Sequence, residues 1–337
     1  MTPGYRIYGL NLSSDSAIPG LTELHAPAFS PDVHIQLGSQ PAWVRDALAG
    51  PSSTLYSLPA CEETRDPAFV LSSLADGQFF QLYYSDGTCF VTDAAASRVW
   101  GIAGVSQTVE DLATYLLGPV MGYILRKRGV TALHASAFCL ADKALVLTGE
   151  AGAGKSTAAA ALALRGLSVL CEDIAALDEN DSRFYVHSGH PRVCLWPESV
   201  HMLMGQPDAL PLITPNWEKR FLPLDGALAL HESTMQPVGA IYILAARQAQ
   251  NAPRVEEVSS REVLLELVQN TYMNWLLDRR QRAAEFELLS RVISQVPARR
   301  IIPHRDPAQL GAFCDMLLAD AARVLSGRIA LPASASR

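Results

Sequence analysis

The chain has 337 residues, a formal net charge of −7, 49% hydrophobic residues and 18% charged residues. That length suits two domains, and the acidic balance argues against nucleic-acid binding, which needs a basic footprint. No run approaches the length of a membrane span, and Met1 to Arg6 lacks the regions of a signal peptide, so no membrane partner and a cytoplasmic location are expected.

Residues 1–115 read as a small β-rich or α+β domain. Val33–Leu37 and Gln78–Tyr84 have strand character, Ser85-Asp86-Gly87-Thr88 is a hairpin turn signal, and Cys89–Thr92 returns as the partner strand. Pro- and Ser-containing loops are expected near 38–66. This region carries no catalytic constellation, and its position suits substrate reception or subunit contact, the latter as a homo-oligomer. A helix is expected over Thr108–Arg128, with Leu112, Tyr115, Leu116, Val120, Tyr123 and Ile124 at helical spacing and Gly118-Pro119 as an interruption.

The second domain is expected over 116–325. Ala144–Thr148 is an apolar strand. Residues 149–157 then read Gly-Glu-Ala-Gly-Ala-Gly-Lys-Ser-Thr, and an alanine-rich helix follows to Arg165, with Gly166 as its cap. This is a complete G-x-x-x-x-G-K-S phosphate-binding loop in its strand–loop–helix context. Glycines allow backbone N–H groups to curl around phosphate oxygens, and the helix N-terminus adds partial positive charge. The candidate nucleotide contacts are therefore Gly149, Glu150, Ala151, Gly152, Ala153, Gly154, Lys155, Ser156 and Thr157. Lys155 is expected on the β- and γ-phosphates and Ser156 on Mg²⁺.

Leu167–Cys171 reads as a short buried strand, ending in the acidic pair Glu172-Asp173 on the ligand-binding edge of an open parallel sheet. An acid on the strand directly after the loop helix is typical of kinases, where it meets the acceptor hydroxyl. The bland alternative is a solvated turn, although Ile174–Leu177 continues apolar. No N-K-x-D and no L-S-G-G-Q segment occurs, which favours phosphoryl transfer to a substrate over a guanine switch or a transporter motor.

Beyond the acids, His187 and His190 are spaced H-x-x-H, but two ligands beside Ser188-Gly189 are too few for a metal site. Pro207–Pro215 is a loop and Val238–Leu244 a buried strand. Helices are expected over Arg261–Leu277, with Leu264, Leu267, Val268, Tyr272 and Leu276 as the buried stripe, and over Arg279–Ser294. A strand over 297–303, a helix over Pro307–Leu325 and a frayed tail from Ser326 complete the chain. Cys61, Cys89, Cys139, Cys171, Cys194 and Cys314 form no C-x-x-C and read as reduced small hydrophobes.

Four ordered segments carry a family resemblance over roughly residues 115–310. They are Leu133–Ala137 with its hairpin through Asp142-Lys143, the loop 149–157 followed by Leu170–Asp173, Gly189–Pro197, and Lys219–Leu224. Together they resemble the catalytic core of HPr kinase/phosphorylase, and more closely the HPr-kinase-related proteins that include lasso-peptide precursor kinases. That core is also similar to phosphoenolpyruvate carboxykinase. The resemblance implies an α/β P-loop kinase core with ATP and Mg²⁺. Lys155 and Ser156 take the loop roles. Asp173 and Glu172 divide the Mg²⁺ and general-base roles, with Glu172 standing where the family has aspartate. His134 would lie near the transferred phosphate, and Arg192 would neutralise it. The alternatives for these two are a core histidine and a surface arginine. Lys219 and Arg220 would touch phosphates or be solvated. No segment resembles the signature that accompanies the family's reverse, dephosphorylating reaction. The expectation is an ATP-dependent kinase acting on a serine hydroxyl of a peptide or small protein, a lasso-peptide precursor being one specific form. A small-metabolite kinase and a nucleotide-sensing module without turnover stand as alternatives.

Overall fold

The computed structural model describes residues 2–24, 30–59 and 67–326. Cys61 and the expected tail from 327 onward lie outside these residues. The described chain is a mixed α/β structure built on two large sheets.

The first sheet comprises β1 (Gly4–Ile7), β2 (Leu10–Ser14), β3 (Val33–Leu37), β4 (Ser52–Ser57), β5 (Phe69–Leu74), β6 (Phe79–Tyr84), β7 (Cys89–Asp93) and β8 (Arg98–Ile102), in the order β1-β2-β3-β8-β7-β6-β5-β4. The segment expected as loop near 38–66 instead holds helix α1 (Ala42–Ala49) and β4. Helix α1 forms because Val44 and Ala47 bury beside Leu74 and Trp100. The polar, exposed β4 carries no apolar alternation and is drawn into the sheet by its pairing with β5. The Ser85–Thr88 turn joins β6 to β7, where Asp86 accepts from the Thr88 backbone N–H at 2.9 Å.

Helix α2 (Val109–Tyr115) starts at a capping box in which Thr108 and Asp111 exchange hydrogen bonds. It continues through a π-turn at Leu116–Val120, which absorbs Pro119, into α3 (Met121–Lys127). The expected interruption is thus a change of winding and not a break.

The second sheet contains β9 (Ala132–Leu140), β10 (Lys143–Gly149), β11 (Val169–Cys171), β12 (Ile174–Asn180), β13 (Arg183–Val186), β16 (Gln236–Leu244), β17 (Arg254–Glu257) and β18 (Ala298–Ile302). Strands β14 (Arg192–Leu195) and β15 (Arg220–Pro223) form a separate ribbon. The expected open parallel sheet is corrected here. Only β10–β16 and β16–β18 are parallel, and β9 lies antiparallel between β10 and β11. The reason is the tight turn at Ala141-Asp142, both at positive φ, which folds β9 straight back onto β10. The direction of β11 nevertheless matches that of β10. The chain therefore leaves both strands on one edge, carrying residues 150–154 and 172–173 together.

Helix α4 (Lys155–Ala163) follows β10, and α8 (Leu310–Ser326) packs beside it, its Leu317 sharing one apolar cluster with Leu147 and Tyr242. Helix α5 is Pro197–Met204 and α7 is Arg279–Gln295. The helix expected over 261–277 is shorter: α6 covers Ser260–Gln269. Beyond it Thr271 bridges to Leu133, and the Tyr272 N–H donates to the Ala132 carbonyl at 2.8 Å. Pairing with the edge of β9 thus outweighs the helical periodicity.

The two sheets share one apolar cluster. Tyr5, Leu12 and Phe90 from the first meet Val120, Ala135, Ile174 and Ile241 from the second region. Position 115, the expected boundary, is the last residue of α2.

Candidate active site

At the end of β10, Gly149 has φ +148°, and a Cβ there would lie 2.5 Å from the Leu244 carbonyl oxygen. Gly154 has φ +108° and opens α4. These are backbone conformations that L side chains rarely adopt. The loop folds back on itself, and Lys155 Nζ donates to the Gly149 carbonyl at 2.7 Å and the Glu150 carbonyl at 3.0 Å. Lys155 is buried. Burial lowers its pKa, against the pull of the nearby Asp173 and Glu172 charges.

The Ser156 hydroxyl donates to Glu172 Oε1 at 2.6 Å, tying the start of α4 to the end of β11. Beside it, Asp173 sits at φ +67°, a left-handed conformation that aspartate tolerates better than most residues. His134, on β9, places Nε2 3.1 Å from Asp173 Oδ1. The Tyr272 hydroxyl donates to Asp173 Oδ2 at 3.3 Å. Each Asp173 oxygen is therefore held from a different element, while the side chain remains 42% exposed to the cleft.

The two carboxylates titrate apart. Burial and then the adjacent Asp173 charge push Glu172 up to about 7. Burial acts to raise Asp173 as well, but His134, Lys219 and Tyr272 together hold it below the ordinary carboxylate range. One carboxylate is thus kept ionised, while at its neighbour burial and the Asp173 charge outweigh the pull of Ser156 and Lys219.

These groups line one cleft of about 600 Å³ with Ala151, Gly152, Gly154, Ser156 and Thr157 of the loop. Of the sequence-derived candidates, His134, Lys155, Ser156, Thr157, Glu172, Asp173 and Arg192 converge there, as does Lys219. Gly149, Glu150 and Ala153 belong to the loop without lining the cleft. Arg192 donates to Thr114 Oγ1 at 3.4 Å, while its buried Nε has no partner among the described residues. Lys219 lies over the Trp196 ring, 5.0 Å from its centroid. Arg220 points the other way, to the Leu210 carbonyl at 2.6 Å. Lys219, just before β15, and Arg220, its first residue, thus take different partners.

The H-x-x-H histidines take separate structural partners. His187 meets Asp178 at 3.3 Å and His190 Nε2 meets the Gly20 carbonyl at 2.9 Å. Burial and then Arg192 lower His190 to about 3. The described cysteines are free thiols, and burial raises Cys194, in the cleft wall, to about 12.

Several lining residues were not among the site candidates read from the sequence. Tyr8 reaches the cleft from the β1–β2 turn, whose N–H donates to the Ser188 carbonyl at 2.8 Å. Tyr115, Trp196 and Trp217 form an aromatic rim, and Arg247 follows β16. Tyr115 stood in the expected helix spacing and Trp196 in the Gly189–Pro197 segment, and Tyr272, which supports Asp173 without lining the cleft, was one member of an expected helix stripe.

Among the described residues, no three His, Cys, Asp or Glu side chains converge as an all-protein metal cage. Ser156 and Glu172 nevertheless present adjacent hydroxyl and carboxylate oxygens, the donor set of a hard divalent cation that shares its remaining sites with phosphate and water. No helix among the described residues is long and apolar enough to cross a membrane.

No family model matches the chain, and no curated protein matches it. Among solved structures, the chain is similar to the Hpr(Ser) kinase/phosphatase from Coxiella burnetii. Identity is 13%, coverage 58% of this chain and 93% of that one, and the TM-score 0.30. A TM-score of that size is a distant likeness and supports no assignment of residues.

Proposed function

We propose that the protein is an ATP-dependent kinase that phosphorylates a hydroxyl group, the acceptor being a serine on a peptide or small protein. One observation carries the reading: the Ser156 hydroxyl of the glycine-rich loop meets Glu172, beside an Asp173 held by His134. Phosphate-binding and proton-accepting groups therefore face the same cleft. Phosphoryl transfer needs little more from a protein than positioning and charge stabilisation.

In this reading the loop N–H groups and Lys155 bind the β- and γ-phosphates. Asp173, kept ionised by its neighbours, takes the proton of the acceptor hydroxyl. The acceptor oxygen bonds to the γ-phosphorus as the bond to the β-phosphate oxygen breaks, and ADP leaves. Arg192, with its unpartnered Nε, and Lys219 balance charge on the moving group. Ser156 and Glu172, with Asp173, would hold Mg²⁺, which when bound neutralises charge on the nucleotide phosphates.

Support for a peptide acceptor comes from the rim. Trp217 and Glu198 are common to the main cleft and to a second one of about 540 Å³ that also includes Asp208, Leu212 and Pro215. The continuous surface gives room for a chain on either side of the reacting hydroxyl. Within this class, a lasso-peptide precursor is the specific acceptor that the sequence resemblance suggests.

The test is transfer from γ-labelled ATP to serine-containing peptides, read by mass spectrometry. Lys155→Ala and Asp173→Asn should each lower turnover by about a hundredfold or more. Asp173→Asn should still bind ATP, and both chains should keep the native circular dichroism. Wild-type turnover in folded Lys155→Ala would overturn the reading. If Glu172→Gln is the more severe change, the two carboxylates exchange roles.

A further inference from the structure

Tyr8 is a buried phenol at the cleft that the transfer step described above does not use. With Gly9 it forms the two-residue link between β1 and β2, and both residues sit at positive φ, +53° and +81°. A hairpin link of this kind favours asparagine, aspartate or glycine at its first position, and a bulky residue there is strained. Strain of this sort collects where a side chain has a task. The Tyr8 ring joins the apolar core that the two sheets share. That accounts for a ring, but phenylalanine would serve the core as well.

The second region is shaped to seat this turn. The Tyr8 N–H is fixed on the Ser188 carbonyl, and a Cβ on Gly9 would lie 2.7 Å from the His187 ring. A Cβ on Gly189 would lie 2.9 Å from Tyr8 Cε1 and 2.7 Å from Cys171 Cβ. The ring therefore rests on bare backbone at Gly189, beside Cys171, the residue just before Glu172.

The hydroxyl stands apart from those of the other buried tyrosines. Tyr5 and Tyr242 have hydrogen-bond partners for theirs, and those of Tyr84 and Tyr123 are closed off from solvent. Among the described residues the Tyr8 hydroxyl has no hydrogen-bond partner, and it is not closed off. With the residue only 3% exposed and lining the main cleft, this free donor opens onto that cleft.

We propose that the Tyr8 hydroxyl binds the γ-phosphoryl group of ATP, so that the first sheet supplies one of the groups holding the reacting phosphate. The inference rests on the kinase reading and adds to it a contact from outside the loop region. In that reading Glu172 and Asp173 mark the γ end of the nucleotide, and Tyr8 stands beside them. Both Asp173 oxygens and one Glu172 oxygen are already engaged, so the phenol is left for an incoming oxygen. It adds a hydrogen bond there without adding charge. Burial, with Cys171, Asp173 and Glu172 close by, holds the hydroxyl well above its ordinary value, so it keeps its proton at neutral pH.

The test uses the full chain and two ligands that differ by this group, Mg-ATP and Mg-ADP, by calorimetric titration. Tyr8→Phe keeps the ring and its core contacts and removes only the oxygen. It should keep the native circular dichroism, lose about tenfold in ATP affinity and hold ADP within about twofold. A purely structural hydroxyl would move both affinities together. Equal losses for the two nucleotides, or unchanged ATP affinity in folded Tyr8→Phe, overturn the assignment and leave the kinase reading intact. If neither nucleotide binds the wild-type chain, the phosphate cradle fails and the role of Tyr8 falls with it.

Discussion

Replacing Glu172 by glutamine should make the ligand-free protein more stable at alkaline pH while impairing its turnover. The carboxyl is pushed up from 4.5 to about 7 by burial and by Asp173. In the folded chain it holds a proton that the unfolded chain has released, so stability falls as pH rises through that window and is flat above it. The full shift corresponds to up to about 3 kcal/mol. Because the residue is partly exposed, about 1–2 kcal/mol is the working expectation. Asp173 is lowered, so its own linkage acts below its ordinary value of 3.8, outside the window. Burial also lowers His187, His190 and His231, which gives the opposite slope below their ordinary value of 6.5. Those histidines are common to both chains and cancel in the difference. The assay is thermal unfolding of wild type and Glu172→Gln at pH 4, below the unfolded-state value of the carboxyl, and at pH 8.5. The melting temperatures should nearly coincide at the lower pH and differ by about 2–4 °C at the higher, the variant melting later. Added Mg²⁺ should raise the wild-type midpoint at pH 8.5 and leave the variant nearly unmoved. A variant less stable than wild type at pH 8.5, or a gap independent of pH, would refute the charge-crowding argument.

Tyr272→Phe removes one donor from Asp173 and should lower kcat by about three- to tenfold with nucleotide affinity unchanged. Gly122→Ala should reproduce that effect from outside the cleft, because its Cβ would lie 2.2 Å from the Tyr272 ring; unchanged kinetics in both would remove Tyr272 from the support of Asp173. The Arg126–Glu285 pair is buried on both sides, so Glu285→Ala should cost about 3–5 kcal/mol by stranding the guanidinium. A melting temperature within a degree of wild type would mean that water reaches Arg126.

The parts of the site that were readable in the sequence are local ones. A glycine-rich loop between an apolar strand and an alanine helix specifies its own backbone, so residues 149–157 could be assigned from spacing alone. Glu172 and Asp173 follow because one helix and one short strand bring the chain back to the same edge. The Asp86–Thr88 turn carried its own chemistry. What escaped depends on contacts between distant segments. Tyr272 kept perfect helical spacing with Leu264 and Val268, yet β9 offered Ala132 and Leu133 as partners and the helix stopped at Gln269. Strand β4 had no apolar period to detect. Arg247 reaches the cleft where the segments after β16 and β18 meet, and nothing in either segment announces that they do. Lys219 and Arg220 looked equivalent in the sequence, but the fold gives one the Trp196 ring and the other the Leu210 carbonyl.

The shared core has a consequence for when the site comes into existence. Tyr8 joins the cleft wall through a bond to Ser188, and Tyr272 completes the support of Asp173. These residues are made at opposite stages of synthesis. During translation α2 and α3 can begin to cover the inner face of the first sheet, but its contacts with β9 to β16 wait until those segments have emerged. Such long-separation contacts slow folding and leave apolar surface open to wrong partners. The glycine-rich loop at 149–157 can form early, but the support of Asp173 is complete only after residue 272 has docked. On the proposed reading, a chain assembled in this order would not transfer phosphate while nascent, and the appearance of turnover during refolding would report the last docking event and not the first.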